Sequence, residues 1–172
     1  MAVTVPQAGQ VIRYAYLWWN ESRAGREHGT KDRPCGVVLT RVTSAGNTIA
    51  YVLPVRPTPP LKDEHGIEIP QATKRHLGLD AERLWIITTE LNLFAWPGPD
   101  IRPTHSGEYL YGYVPEKLMR LVLDQVKRHA RDKQLRTVPR TEQRCAPVRE
   151  KTPDAPPDTL SSTNTLTRSR RW

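Results

Sequence analysis

Residues 33–40 read Arg-Pro-Cys-Gly-Val-Val-Leu-Thr, and this stretch decides how the flanking sequence is interpreted. Its Arg-Pro opening and its Val-Val-Leu run predict a β-strand. Before it, residues 10–19 are rich in β-branched and aromatic residues, and residues 20–32 are a polar loop with two glycines. After it, a Ser-Ala-Gly-Asn turn leads into residues 48–55, which are again apolar. Three strands with short connections predict an antiparallel meander.

Shorter patterns follow the meander. Residues 67–69 and 109–114 predict short strands, and residues 85–89 predict an apolar strand that residues 92–96 could continue. Residues 70–77 begin with proline and precede a glycine, which is typical of one or two helical turns.

One long helix is predicted at residues 115–134. Pro115 and Glu116 suit its first turn, and apolar residues recur at helical spacing along one face. Strands first and an amphipathic helix last predict an α+β fold. We expect a small, strongly bent antiparallel sheet or SH3-like barrel, closed by this C-terminal helix.

Charge and proline are concentrated at the end of the chain. Residues 1–126 carry 14 Lys and Arg against 13 Asp and Glu, whereas residues 127–172 carry 12 against 5. Residues 135–172 are rich in Pro, Ser, Thr and Arg and show no apolar period. The sequence therefore predicts a folded domain at 1–134 and a disordered basic tail at 135–172, which either holds RNA through phosphates or is a solvated extension.

Other classes of protein fit the composition poorly. Two cysteines do not form a disulfide framework, and neither a signal peptide nor an apolar run of membrane-spanning length is visible. We therefore expect a cytoplasmic protein. The five histidines show no spacing typical of a metal site or an acid–base pair, so no metal or cofactor is predicted and scattered surface histidines are expected.

Several segments, taken in chain order, resemble motifs of one family, the PemK/MazF-like toxins and within it a longer PemK-like subgroup. The similarity covers residues 9–130. Its segments are Gly9-Gln10-Val11-Ile12, the loop 25–29, Arg33-Pro34, Val52-Leu53-Pro54, and residues 67–70, 77–80, 96–98 and 111–118.

The resemblance implies a CcdB/MazF-like barrel and a type II toxin–antitoxin role, as in plasmid maintenance and growth inhibition. Such toxins are metal-independent endoribonucleases of single-stranded RNA, in which the 2′-OH attacks the adjacent phosphate and leaves a 2′,3′-cyclic phosphate. The resemblance also implies a homodimer whose active groove is covered by an acidic segment of a cognate antitoxin.

The candidate catalytic residues are Arg33, Glu27, Arg56 and Thr58. The resemblance gives Arg33 the main role, and its guanidinium suits two phosphate oxygens; the alternative is a surface arginine paired with Asp32 or Glu27. Glu27 would accept a proton or hold Arg33, unless it is simply solvated. Where the family pattern runs Pro-x-Thr, this chain has Arg56, and Thr58 follows two residues later. Arg56 either binds phosphate itself or marks a weakened or inactive enzyme.

The candidate RNA-binding residues lie in and beside the loop after the first strand. The tryptophans of this chain either stack on RNA bases or pack in the core and at a dimer face. Of these residues, Trp19 is the best placed for stacking. The candidates are Trp19, Asn20, Glu21, Arg26, His28 and Lys31. Two functions remain open: a ribonuclease toxin, or a non-catalytic module of the same fold that binds nucleic acid or a protein.

Overall fold

The computed structural model describes residues 4–80 and 82–140 and shows an α+β fold with a curled half-barrel sheet of eight strands. All strand pairs are antiparallel except that between the sixth and eighth strands, which is parallel. The strands are β1 (Gln10–Ala15), β2 (Asp32–Val42), β3 (Thr48–Arg56), β4 (Gly66–Glu68), β5 (Trp85–Ile87), β6 (Glu90–Trp96), β7 (Leu110–Tyr113) and β8 (Arg136–Arg140). The helices are α1 (Trp19–Arg23), α2 (Gln71–His76) and α3 (Glu116–Arg131).

The predicted meander is present as β1, β2 and β3. Cys35 of β2 lies opposite Ile12 of β1 and Pro54 of β3, so Arg-Pro-Cys occupies the middle of the sheet. The turn from β2 to β3 closes with a hydrogen bond from the Asn47 N–H to Thr43 Oγ1 at 3.1 Å. At this turn Gly46 has a φ of 81°, which glycine adopts at little cost.

β3 is the strand on which the sheet divides. Its first half pairs with β6, and its last two residues, Val55 and Arg56, pair with β5. The prediction that residues 92–96 continue the strand at 85–89 was therefore wrong, because β5 and β6 pair with different halves of β3. This division curls the sheet and places the C-terminal end of β3 beside the loop that precedes β4.

Alternation along β1 divides the core between the two faces of the sheet. Val11 belongs to a cluster with Leu118 and Val122 of α3, whereas Ile12 and Tyr14 belong to a second cluster with other aromatic side chains. Successive side chains of a strand point to opposite faces, so both faces of the sheet are covered. The long helix thus packs through part of its predicted apolar stripe, whereas Leu121 of that stripe is 52% exposed. None of the helices in the described ranges is long and apolar enough to cross a membrane.

The start of the predicted tail belongs to the folded domain. β8 pairs in parallel with β6, Val138 is 2% exposed, and the Arg140 side chain is buried against Asp100. The boundary at residue 134 was therefore wrong. A five-residue strand with Pro139 in it has no periodicity to detect, and an edge strand tolerates the missing N–H of proline. Residues 141–172, the remainder of that tail, lie outside the described residues.

A second difference is α1, which lies where the sequence predicted only a polar loop. It is a short helix of about one turn. Glu21 caps its N-terminus, because the Glu21 carboxylate accepts a hydrogen bond from the backbone N–H of Trp18 at 3.3 Å. One turn is too short to show an apolar period, and its stability comes from such local hydrogen bonds.

Candidate nucleic-acid interface

Two buried polar side chains of β6 hold the segment that leads from β1 into α1. Asn92 is fully buried, accepts the Leu17 N–H at 3.0 Å and donates to the Leu17 carbonyl at 2.8 Å. The Glu90 carboxylate accepts hydrogen bonds from the backbone N–H of Trp19 and from the Tyr16 hydroxyl, each at 3.2 Å. These bonds fix the backbone on both sides of Trp18, so that its ring is carried on a rigid support.

Sequence reasoning missed Glu90 and Asn92, although a signal was present. They stand two residues apart in an otherwise apolar strand, so they lie on the same face, and polar groups in such a position must find partners. Burial raises the pKa of the Glu90 carboxyl, against the opposing effect of the hydrogen bonds that it accepts from Trp19 and Tyr16.

Two arginines meet at Trp18. The Cζ of Arg33 lies 5.0 Å from the ring centroid and the Cζ of Arg56 lies 5.2 Å from it, both within cation–π range. The structure thus brings together the two arginines that the sequence singled out, from β2 and from the end of β3, around a half-buried tryptophan.

Arg33 has no ion pair within the described residues. The expected surface partner, Asp32, instead contacts Arg13 at 3.4 Å and Arg102 at 3.8 Å. The other, Glu27, is exposed and forms neither an ion pair nor a hydrogen bond with residues that the structure describes. The Arg33 Nε is buried and lacks a hydrogen-bond partner there. Its guanidinium is therefore a positioned cation whose charge is not neutralised by a neighbouring carboxylate.

Arg56 is engaged with the protein itself. Its guanidinium pairs with the carboxylate of Glu64, and both side chains are nearly buried, at 11% and 10% exposed. It also donates to the backbone carbonyls of Thr58 at 3.1 Å and Pro59 at 3.0 Å. Arg56 thus closes the loop after β3, and Thr58 contributes its carbonyl to this contact while the residue itself is exposed.

The loop after α1 is organised by Glu21. Its Oε1 accepts hydrogen bonds from Arg26 Nη1 and Thr30 Oγ1, each at 3.3 Å. Gly29 packs against β1 so closely that an added Cβ would lie 2.4 Å from the Tyr16 carbonyl oxygen. Glu21 and Arg26 therefore shape this loop. The other predicted RNA-binding residues in and beside it, Asn20, His28 and Lys31, are exposed.

Trp19, the next residue in the chain, contacts two further arginines. Arg23 of α1 and Arg136 of β8 each place a Cζ 4.9 Å from its ring centroid. No sequence signal pointed to Arg136, because its position depends on the pairing of β8 with β6. Together Trp18, Trp19, Arg23, Arg33 and Arg136 form what we call the aromatic–basic surface.

A cavity of about 460 Å³ lies next to Arg136. A smaller one of about 240 Å³ shares His65 and Gln134 with it. The larger, which we call the basic cavity, is lined by Lys62, Asp63, His65, Thr89, Lys133, Gln134, Leu135 and Arg136.

Two histidines meet beside these cavities, so the expectation of scattered surface histidines was wrong for this pair. The rings of His65 and His129 lie 4.9 Å apart, centroid to centroid. Burial, followed by the nearby His65, lowers the pKa of His129. They are 64 residues apart in the chain, so no spacing could reveal the contact. Among the described residues, no group of three or more His, Cys, Asp or Glu side chains is placed to hold a metal.

Cys35 is two residues from Arg33 in the chain but takes no part in the candidate site. It is fully buried, and burial raises the pKa of its thiol well above the ordinary value. A buried, protonated thiol is inert, so Cys35 is a core residue.

Comparison with known proteins finds no match among family models, curated proteins or solved structures. The motifs and the geometry of the aromatic–basic surface therefore remain as the indications of function.

Proposed function

We propose that this chain is a metal-independent endoribonuclease toxin of the PemK/MazF-like type, which acts on single-stranded RNA in the cytoplasm. The main support is the environment of Arg33. Its guanidinium lies beside Trp18 and has no carboxylate partner within the described residues. The proposal includes the homodimer and the antitoxin that the resemblance implies.

The surface supplies two elements that RNA cleavage needs. Attack of the 2′-oxygen forms a bond to phosphorus while the bond to the 5′-oxygen breaks, and negative charge accumulates on the phosphoryl oxygens between these events. One proton leaves the 2′-OH and one is taken up by the leaving oxygen. The Arg33 guanidinium would neutralise the phosphoryl oxygens, and the rings of Trp18 and Trp19 would stack on the bases that flank them.

Arg56 favours a second candidate function, which is RNA binding without cleavage. It stands where the family pattern has threonine, and its guanidinium is already bonded to Glu64 and to two carbonyls. It is therefore less available to a phosphate than Arg33. The exposed Glu27 would have to supply the base without a hydrogen bond from any residue that the structure describes, which also favours binding over chemistry.

Incubation of a long single-stranded RNA with the purified protein in EDTA, with analysis of the product ends, tests the proposal. We expect 2′,3′-cyclic phosphate and 5′-OH ends, and a loss of cleavage of at least about a hundredfold in Arg33→Ala, the size typical of removing one transition-state contact. Arg75→Ala, which removes an exposed arginine of α2, is the matched control and should cleave normally.

Three results separate the two candidates. Cleavage retained in Arg33→Ala would overturn the proposed role of Arg33. Absence of cleavage by the natural protein, with RNA binding retained and activity appearing in Arg56→Thr, would establish the binding function on a scaffold that has lost its chemistry. Absence of both cleavage and RNA binding in the natural protein would reject both functions.

A further inference from the structure

The basic cavity lies where three parts of the chain meet. Lys62 and His65 come from the loop before β4, and Thr89 lies between β5 and β6. Lys133 comes from the turn after α3, and Arg136 is the first residue of β8. These parts are held in place by backbone pairing, since the Arg136 N–H donates to the Thr89 carbonyl at 2.9 Å. The cavity is therefore part of the folded domain.

The side chains that line the cavity carry a net positive charge. Lys62, Lys133 and Arg136 line it together with one acid, Asp63. None of the three cations forms an ion pair within residues 4–80 and 82–140. Three cations against one carboxylate attract an anion.

The end of α3 opposes this attraction only weakly. A helix C-terminus carries a partial negative charge equivalent to about half an electron. Here the His129 carbonyl accepts the N–H groups of Gln134 at 2.8 Å and Leu135 at 3.1 Å, so this carbonyl is already satisfied. The lining side chains themselves keep an excess of cations.

A buried hydroxyl in the cavity wall lacks a partner. Thr89 is 4% exposed, and its Oγ1 is buried without a hydrogen-bond partner in the described part of the chain. A buried polar group without a partner is costly, so such a group usually marks a missing ligand or water. An oxygen atom of a ligand or water that reached this hydroxyl from the cavity would supply the acceptor.

Arg136 joins the cavity to the aromatic–basic surface. Its side chain lines the cavity and its guanidinium lies over Trp19, the neighbour of Trp18 in the chain. A strand that leaves Arg33 would thus meet two aromatic rings and then a second group of cations. Alternation of cations with aromatic rings is typical of surfaces that bind single-stranded nucleic acid.

We propose that the basic cavity is a second phosphate subsite, which holds a backbone phosphate of the same RNA strand whose reacting phosphate lies at Arg33. This inference rests on the RNA binding of the proposed function. It adds residues that the sequence resemblance does not include: Lys62, Thr89, Lys133 and Arg136.

The test measures binding separately from cleavage. A 2′-O-methyl RNA cannot be cleaved, since its 2′-oxygen carries no proton to lose, and its affinity is followed by fluorescence anisotropy over a range of salt concentrations. The probes are a strand of about 12 nucleotides, a dinucleotide with one phosphodiester, and inorganic phosphate. The test variant is Lys62→Gln/Lys133→Asn, since asparagine tolerates the left-handed backbone of residue 133.

The control variant removes two cations at the far end of α3. Lys117→Gln/Arg120→Gln alters two exposed residues of its first turns. At about 1.5 Å of rise per residue, Lys117 lies roughly 20 Å along the helix from its C-terminal end. Both double variants remove two positive charges, so a general charge effect would weaken binding in both.

We expect the Lys62→Gln/Lys133→Asn variant to bind the long strand at least about tenfold more weakly, with the slope of log affinity against log salt reduced by about 0.7, the value for one phosphate of a single strand. Dinucleotide binding should stay unchanged, and the control should bind the long strand within about threefold of the natural protein.

Other results overturn the subsite. Equal losses in the test and control variants would mean a general charge effect. Equal losses for the long strand and the dinucleotide would place the lysines at Arg33. Binding of inorganic phosphate as tightly as the long strand would make the cavity a free-phosphate site. Failure of the natural protein to bind the long strand would reject the RNA subsite altogether. A protein that binds the strand as expected but does not cleave natural RNA would retain the subsite while the endoribonuclease proposal fails.

Discussion

At the scale of single residues, the charge pair of greatest consequence lies away from the candidate site. Arg140 and Asp100 pair with side chains only 3% and 7% exposed, and Arg102 contacts the same carboxylate at 3.6 Å. Removal of one partner from a buried pair leaves the other charge without compensation, which costs more than the pair contributes. Asp100 is thus needed because Arg140 is buried.

We expect Asp100→Asn to lower the free energy of unfolding by about 3 kcal/mol or more, measured by urea denaturation. The control is Glu116→Gln, which breaks an ion pair with Arg120 whose side chains are 79% and 74% exposed. An exposed pair of this kind contributes about 0.5 kcal/mol or less. Equal effects in the two variants would show that Arg140 does not need Asp100.

At the scale of elements, the turn between α3 and β8 carries backbone strain. Lys133 has a φ of 56°, the only positive value at a non-glycine residue within the described ranges. A left-handed conformation costs an L-residue about 1–2 kcal/mol, and glycine avoids that cost at the end of a helix. The strain is retained at the position where the lysine lines the basic cavity.

Lys133→Gly should therefore raise the free energy of unfolding by about 1 kcal/mol, observed as a higher urea midpoint. Lys133→Ala is the matched control, because it removes the same charge and leaves the backbone strained. A similar gain in both variants would attribute the effect to charge and contradict the strain.

At the scale of the whole molecule, β8 completes the sheet. It covers the edge of β6, buries Val138 and brings Arg140 to Asp100. It also supplies Arg136, which contacts Trp19 and lines the basic cavity. The last described strand therefore contributes both to the core and to the candidate site.

A chain that ends at residue 140 should unfold cooperatively, whereas one that ends at residue 134 should lose most of its stability because the edge of β6 and part of the core become exposed. Thermal unfolding followed by circular dichroism compares the two. The same Tm for both chains would mean that β8 is dispensable.

The sequence by itself determined the features that depend on neighbouring residues. The β1–β3 meander follows from β-formers interrupted by turn residues, and α3 follows from its apolar stripe and its proline start. The choice of Arg33 and Arg56 as a pair came from the motifs, and the structure places both at Trp18.

Only the tertiary structure decided the contacts between distant segments. The strand at 136–140 exists because β6 offers it a free edge, and its short sequence has no period of its own. The meeting of Arg33 and Arg56 at Trp18, the His65–His129 contact and the basic cavity all depend on which segments the curled sheet brings together. Local propensity acts over a few residues, whereas these arrangements join side chains tens of residues apart, and packing alone selects them.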